Sequence, residues 1–244
     1  MFIERKQNIL YNQGDSMKKI FLLILAFVFV IVGCFGINAV SERSVESNKT
    51  VCTSSRNTVV IDAGHGGKDA GTSGIDGALE KDVNLNIALS LYDFLMVSGI
   101  NAVLTRDADY ELYSDEEVRD HSDLYNRMDF INSVPSSILI SIHQNHFEEE
   151  KEWGTQIWYS ANTELSKTLA DNILRNIKDN LQPENNRLNK VSDDSYYLLY
   201  KASVPSIMVE CGFMSNSEEN KKLQNFEYQN DIAYSILTGI SGEV

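Results

Sequence analysis

Short apolar runs alternate with longer amphipathic stretches along the chain beyond residue 57. The short runs predict β-strands: TVVIDAG (58–64), INAVLTR (100–106), SSILISIH (136–143), TQIWYSAN (155–162) and SIMVECG (206–212). Between the first two, Val83, Ile87, Leu91 and Leu95 recur at helical spacing until Gly99 ends the stretch. This alternation predicts an α/β domain with a twisted, mostly parallel or mixed sheet covered by helices on both faces.

Three further segments have helical character. The segment HSDLYNRMDFINS (121–133) is predicted to form a helix, and the segment from Asn216 to Ile240 is also predicted to be helical. A long helix is predicted from one apolar ridge, with its N-cap region at Asn162 and Thr163; the ridge consists of Leu165, Leu169, Ile173, Ile177 and Leu181. The segment YYLLYK (196–201) is too short to assign.

The first part of the chain differs from the rest. Residues 17–33, MKKIFLLILAFVFVIVG, read as a secretory signal or a membrane anchor, so we expect export across the cytoplasmic membrane and a secreted or membrane-anchored product. Translation can begin at Met1 or at Met17. We therefore divide the chain into an N-terminal segment (1–37), a flexible linker (38–57) and one folded domain (58–244).

Cysteine and charge exclude some classes of protein. Cys34 follows the apolar run as in a lipoprotein processing site, and Ile37-Asn38-Ala39 is a competing cleavage site. Because Cys52 lies in the linker and Cys211 on a predicted core strand, no structural disulfide is expected. Beyond Arg56 the chain carries 14 basic and 31 acidic residues, a formal net charge of −17. Nucleic-acid binding is therefore not expected.

Candidate chemistry lies at the ends of the predicted strands. His65 follows the first strand, His143 ends the third, and Glu210 lies within the last. Because ligands gather at the carboxyl ends of parallel strands, these groups should meet at one rim of the sheet. Gly64, Gly66 and Gly67 allow a sharp turn around His65, and Glu80 at the start of a helix can face the same rim.

Two neutral imidazoles and one carboxylate form the ligand set of an open catalytic zinc site. We therefore predict one Zn²⁺ per chain, held by His65, Glu80 and His143. Glu210, a carboxylate in an apolar strand, requires a partner. It is either a fourth ligand or, as we prefer, a base beside a metal-activated water. Cys211 must point to the opposite face, and Asn145 shares the face of His143 if that strand continues.

Five motifs occur in an order that resembles a known family: DAGHGGKDAG, ALEKDVNLNIALSLYDFL, GINAVLTR, ILISIHQN and SVPSIMVECGFMSNSEE. They are similar to motifs of the zinc-dependent N-acetylmuramoyl-L-alanine amidases of the Amidase_3 type. The short chain with its apolar N-terminal segment looks most like the spore-cortex, CwlD-type branch. The resemblance implies metal ligands at His65, Glu80 and His143, a catalytic carboxylate at Glu210, and peptidoglycan as substrate.

The implied reaction is hydrolysis of the amide that joins N-acetylmuramic acid to the L-alanine of a stem peptide. Two rival hypotheses remain at this stage: another zinc amide hydrolase or peptidase, and a catalytically silent wall-binding module. A protein partner, and membrane contact through an uncleaved or lipidated N-terminal segment, also remain open.

Several residues depart from the family pattern or have an unresolved role. Ala63 replaces the proline that the family usually has, and Gln144, Asn145 and His146 follow the second metal histidine in place of Ala-Asn-Ala. We expect His146 to point away from the metal and His121 to be a solvated surface group. Arg127 is either a surface ion-pair partner or a group that orders the rim.

Overall fold

The computed structural model describes residues 57–112 and 122–244. Their strands are β1 (Thr58–Ala63), β2 (Ala102–Leu104), β3 (Ser137–Asn145), β4 (Gln156–Tyr159), β5 (Lys190–Val191) and β6 (Ser206–Phe213). Their helices are α1 (Glu80–Val97), α2 (Ser122–Ser133), α3 (Glu164–Asn180), α4 (Tyr197–Lys201), α5 (Ser217–Leu223) and α6 (Phe226–Ile240). The predicted N-terminal segment, most of the linker, Cys34, Cys52 and His121 lie outside the described residues.

The six strands form one mixed sheet in the order β2-β1-β3-β6-β4-β5. The first four strands in that order run parallel, and β4 is antiparallel to β6. This confirms the predicted α/β fold with a mixed sheet. The segment 196–201 was too short to assign from sequence, and most of it forms the short helix α4. The C-terminal segment that was predicted to be helical is divided into α5 and α6.

Side-chain alternation along the strands produces two separate cores. In β3, Ile138, Ile140 and Ile142 enter the larger core, which α1, α3 and α6 cover. Leu139 points the other way, into a smaller core that contains residues of α2 and α4. Since both faces of the sheet are covered, the central strands are apolar at successive positions rather than at alternate ones.

Helix termini follow from local sequence. Thr163 is the N-cap of α3, and its side chain accepts a hydrogen bond from the Ser166 N–H, which confirms the predicted cap region. In α1, by contrast, Leu79 occupies the N-cap without a side-chain hydrogen bond. The first N–H groups of α1 donate instead to backbone carbonyls, Glu80 to Thr72 and Lys81 to Ala70, and the helix dipole favours the acidic residues Glu80 and Asp82 found in the first turn. The polypeptide thus brings a carboxylate to the rim of the sheet.

Among the residues that the structure describes, no helix combines the length and apolar character needed to cross a membrane.

The contact between α3 and α6 depends on a glycine. A Cβ atom added to Gly239 would lie 2.7 Å from the Cα atom of Ile173. We predict that Gly239→Ala lowers the free energy of unfolding by about 1–3 kcal/mol, because the two helices must separate, although alanine favours helix. Urea unfolding measures this change. Gly242→Ala is the matched control, since a Cβ there meets nothing within 4 Å; equal stability of the two variants would contradict the packing argument.

Candidate metal centre and catalytic site

His65, two residues after β1, has an unusual backbone conformation, and the chain around it is closely packed. Its φ is 62°, in the left-handed region that non-glycine residues rarely adopt. Gly71 has φ 66°, and a Cβ atom there would lie 2.6 Å from Glu80 Oε2 and 2.7 Å from His65 Cδ2. A Cβ on Gly64 would lie 2.2 Å from His143 Nε2. These glycines therefore let the loop after β1 approach the three side chains closely.

The carboxylate of Glu80 is held from several directions. Its Oε2 accepts a hydrogen bond from the Thr72 N–H (2.9 Å). Its Oε1 accepts bonds from the Gln144 N–H (3.0 Å) and the Asn84 side-chain amide (3.2 Å). Glu80 is only 3% exposed. Its position is thus determined by backbone donors and by Asn84, independently of either histidine.

Two histidines face this carboxylate. His65 Nε2 lies 3.3 Å from Glu80 Oε2, and His143 Nδ1 lies 3.1 Å from Glu80 Oε1. The two imidazole rings meet edge to face with their centroids 4.9 Å apart. Within the described part of the chain, His65, Glu80 and His143 form a group whose potential ligand atoms all lie within 4.8 Å of one another.

The charges in this group reinforce one another. Burial opposes the charged form of His65, but the hydrogen bonds and charges of Glu80 and Asp69 outweigh burial and raise its pKa to about 9. Burial likewise opposes the charge of Glu80, yet hydrogen bonds from His143 and His65 hold the pKa of this carboxyl far below its ordinary value. The group therefore favours an ionised Glu80.

Asp69 orients His65 from the other side. Asp69 Oδ2 lies 2.7 Å from His65 Nδ1, on the opposite edge of the ring from Glu80. A carboxylate at one imidazole nitrogen fixes the ring and leaves the other nitrogen directed at its target, as in many metal sites.

Glu210 lies beside His143 on the neighbouring strand. The two residues are register partners in the parallel pair β3–β6, so their side chains project to the same face. Glu210 Oε2 is buried and makes no hydrogen bond to any described residue. Burial disfavours the charged carboxylate and raises the pKa of Glu210 to about 7. The charge of His143 opposes this rise, and the charge of Glu80 adds to it. Cys211 is fully buried in the larger core on the opposite face, as predicted.

A buried ion pair supports the loop that carries His65. Asp62 is fully buried, and its Oδ1 lies 2.7 Å from Arg127 Nη1. The same carboxylate accepts hydrogen bonds from the hydroxyls of Thr105 (2.8 Å) and Ser141 (2.7 Å). Arg127 also donates to the carbonyls of Ala63 and His65, so it orders the rim and is not a surface residue.

A second buried guanidinium binds the same loop without a carboxylate partner at ion-pair distance among the described residues. Arg106, 1% exposed, donates to the carbonyl oxygens of Ala63 (2.8 Å), Gly64 (2.9 Å) and Lys81 (2.8 Å). Between them, Arg106 and Arg127 bind the carbonyls of residues 63, 64 and 65. The backbone that carries His65 is therefore held to the segment just after β2 and to α2.

The structure brings together the four residues selected from the sequence, but some of their neighbours differ from those expected. His146 is exposed and lies outside the metal-binding group. The strand does continue to Asn145, but a register shift intervenes after His143, and the Asn145 side chain accepts a bond from the His146 N–H. Gln144 instead approaches the site, through its N–H to Glu80 and its side-chain amide to Asn84 (3.1 Å).

Sequence reasoning missed Asp62, Asp69, Asn84, Arg106 and Gln144. One signal was available: Asp62 is a carboxylate inside the apolar run TVVIDAG. The argument that a buried carboxylate needs a partner, which was applied to Glu210, holds for Asp62 as well.

Comparison with known proteins agrees with this geometry. Residues 59–242 match the family described as N-acetylmuramoyl-L-alanine amidase. Over 191 residues the chain is 32% identical to the germination-specific N-acetylmuramoyl-L-alanine amidase of Bacillus subtilis, covering 75% of this chain and 77% of that protein.

Two solved structures share the fold over nearly their whole length. The CwlD amidase from Clostridioides difficile, solved in complex with the GerS lipoprotein, has 38% identity and a TM-score of 0.72, covering 76% of this chain and 97% of that one. The amidase AmiC2 of Nostoc punctiforme has 35% identity and a TM-score of 0.68, covering 78% and 97%.

We predict that Asp62→Asn destabilises the protein by about 3–5 kcal/mol near neutral pH, because it leaves a buried guanidinium without its main counter-charge. The Arg127 charge and the Ser141 hydrogen bond overcome burial and lower the pKa of Asp62 to about 2 from an ordinary 3.8. A depressed pKa contributes stability that is complete above about pH 4 and is lost as the pH falls towards 2. This pH-dependent part is about 2 kcal/mol.

Urea unfolding at several pH values tests this prediction. The difference between wild type and Asp62→Asn should stay constant above about pH 4 and shrink below it. Asp171→Asn is the control, because Asp171 pairs with Lys167 on the surface and should contribute much less. A difference that is independent of pH down to 2 would contradict the role given to Asp62.

Proposed function

Because the chain belongs to the N-acetylmuramoyl-L-alanine amidase family, we propose that it hydrolyses its peptidoglycan substrate with one zinc ion, held by His65, Glu80 and His143, and with Glu210 as catalytic base. The bond broken is the amide between N-acetylmuramic acid and the L-alanine of a stem peptide. Resemblance to the CwlD amidase supports placement in the CwlD-type branch.

The observation that carries the proposal is the His-Glu-His group beside an unpartnered buried carboxylate oxygen. Two imidazole nitrogens and one carboxylate oxygen are the donors that a catalytic zinc site uses, with a further position open to water or substrate. Structural zinc sites commonly use four protein ligands. No fourth histidine, cysteine or carboxylate joins this group among the described residues.

The surrounding contacts suit such an ion. Asp69 at His65 Nδ1 leaves Nε2 for a metal, and Thr72, Asn84 and Gln144 hold Glu80 in place. A zinc ion in such a site would act as a Lewis acid: it would polarise a carbonyl oxygen and make water acidic enough to react near neutral pH.

In this proposal Glu210 accepts a proton from water and donates it to the leaving group. Its Oε2 is buried, faces no protein donor among the described residues and lies on the strand next to His143. It accepts a proton as water attacks the amide carbon, then donates it to the departing nitrogen of L-alanine. A carboxylate already paired with a buried donor would be less able to take this proton.

We further propose a role in the spore cortex, a protein partner and action outside the cytoplasm. The relatives named for germination and for a complex with a lipoprotein support the first two proposals, and a cell-wall substrate supports the third. Cortex peptidoglycan digested no faster than vegetative peptidoglycan would argue against the first. Full zinc loading and full activity of the purified chain alone would exclude a required partner.

We predict that the full-length chain with zinc releases peptides beginning with L-alanine from purified peptidoglycan and leaves the glycan strands intact, as read by mass spectrometry. Glu210→Gln should retain zinc and fold normally but lower turnover by at least about 100-fold, since it removes the proton acceptor. Zinc content and thermal unfolding serve as its controls. Cleavage within the peptides would contradict the amidase assignment, and near wild-type turnover by this variant would contradict the role of Glu210.

We predict that Glu80→Ala lowers zinc occupancy, because it removes one of three ligands and the only anionic one. Elemental analysis and competition with a chelator measure the change. Glu164→Ala is the matched control, because Glu164 opens α3 as Glu80 opens α1 but lies outside the metal-binding group. Unchanged metal content in Glu80→Ala would exclude this residue as a ligand.

A further inference from the structure

Strand β4 extends the face of the sheet on which Glu210 lies. Gln156 is the register partner of Glu210, and Trp158 is the partner of Met208, in the antiparallel pair β4–β6. Positions two apart on a strand project to the same face, so Trp158 and Glu210 share a face as diagonal neighbours. The next strand, β5, places Lys190 beside Trp158.

Trp158 carries a cation and a second aromatic ring. Lys190 Nζ lies 5.0 Å from the centroid of the Trp158 ring, within the range of a cation–π contact. The ring of Tyr196, just before α4, lies 4.5 Å from that of Trp158 at an angle of 30°. Because the indole contacts both groups, it restrains the ammonium group at one place on this face instead of leaving it mobile in solvent.

Tyr196 contributes a phenol to this cluster. Burial, then the negative charges of Glu210 and Asp193, raise the pKa of Tyr196 to about 12. Its phenol is therefore a hydroxyl donor throughout the neutral range, within electrostatic reach of Glu210. The other charge, Asp193, is exposed and accepts hydrogen bonds from the N–H and hydroxyl of Ser195.

Lys190 has no carboxylate at ion-pair distance among residues 57–112 and 122–244, whereas Lys81, Lys151 and Lys167 each have one. Within the same ranges Lys178, Lys201, Lys221 and Lys222 likewise have no ion pair. What distinguishes Lys190 is its position over Trp158, on the face of the sheet that carries Glu210. A restrained cation that the protein does not neutralise is suited to binding an anion from outside.

We propose that Lys190, held over Trp158 beside Tyr196, forms a subsite that binds a carboxylate of the stem peptide during the amidase reaction. This proposal rests on the proposed function. Diagonal neighbours on an antiparallel pair are roughly 7–8 Å apart, and an extended peptide advances about 3.3–3.6 Å per residue. The diagonal neighbour of Glu210 is Trp158, and Lys190 Nζ lies a further 5.0 Å from the centroid of the Trp158 ring. A peptide whose first amide lies at Glu210 therefore reaches Lys190 with about its third or fourth residue.

The test compares two muramoyl peptides, one with free carboxylates beyond the L-alanine and one with those groups converted to carboxamides. Wild type should cleave the free acid more efficiently. Lys190→Met should lower kcat/KM on the free acid about 3- to 10-fold, mainly through KM, and leave the carboxamide unchanged. Lys190→Arg should restore most of the preference, because it keeps the positive charge.

Lys201→Met is the matched control. Lys201 also lies over an aromatic ring, 5.1 Å from the centroid of Tyr200, and is exposed, but it belongs to α4 and not to the β4–β5 edge. It should leave both substrates unaffected. Melting temperatures of the variants identify any loss that comes from folding alone.

The outcomes separate the two proposals. Cleavage of both peptides with no preference, or an equal effect of Lys190→Met on both, would overturn the subsite and leave the amidase assignment intact. Cleavage within the peptides instead of at the muramoyl amide by zinc-loaded wild type would overturn the proposed function, and the subsite with it.

Discussion

The site depends on the buried ion pair between Asp62 and Arg127. Asp62 lies where β1 ends, and without a cation its carboxylate would not remain ionised inside the domain. Arg127 supplies that cation, pairs through Nε with Asp123, and donates to the carbonyls of Ala63 and His65. One interaction thus satisfies a buried charge and fixes the backbone that presents His65. The left-handed conformation of His65 persists because the surrounding contacts determine it.

The rest of the candidate centre is arranged before any ion binds. Glu80 is held by two backbone N–H groups and by Asn84, and Asp69 holds His65 from behind. Ligands that are already fixed lose little freedom on binding a metal. Glu210, unlike the three proposed metal ligands, has a buried side-chain oxygen without a hydrogen bond to a described residue, which is the state expected of a group whose partner is the reacting substrate or water.

The antiparallel strand β4 gives the site its surroundings. Three central strands run parallel and end together, which collects His65, His143 and Glu210 at one rim. Because β4 is antiparallel to β6, Gln156 lies beside Glu210, and Trp158 lies beside Met208, two residues further from the rim on the same face. The proposed carboxylate subsite therefore lies on the same face of the sheet as Glu210, one strand beyond Trp158.

The fold class, and the meeting of His65, His143 and Glu210 at one rim of the sheet, follow from the pattern of apolar residues along the chain. Apolar periodicity depends on burial alone, and a histidine or carboxylate at the end of an apolar run must lie at the rim whatever the long-range contacts are. The groups that hold those residues were decided only by tertiary structure. Gln144 contacts Glu80 and Asn84 because it continues the face of β3 that carries Ile140 and Ile142 and that α1 covers, and only the tertiary structure decides which helix covers that face. Arg106 likewise binds carbonyls distant in sequence, which carry no side-chain signal of their own.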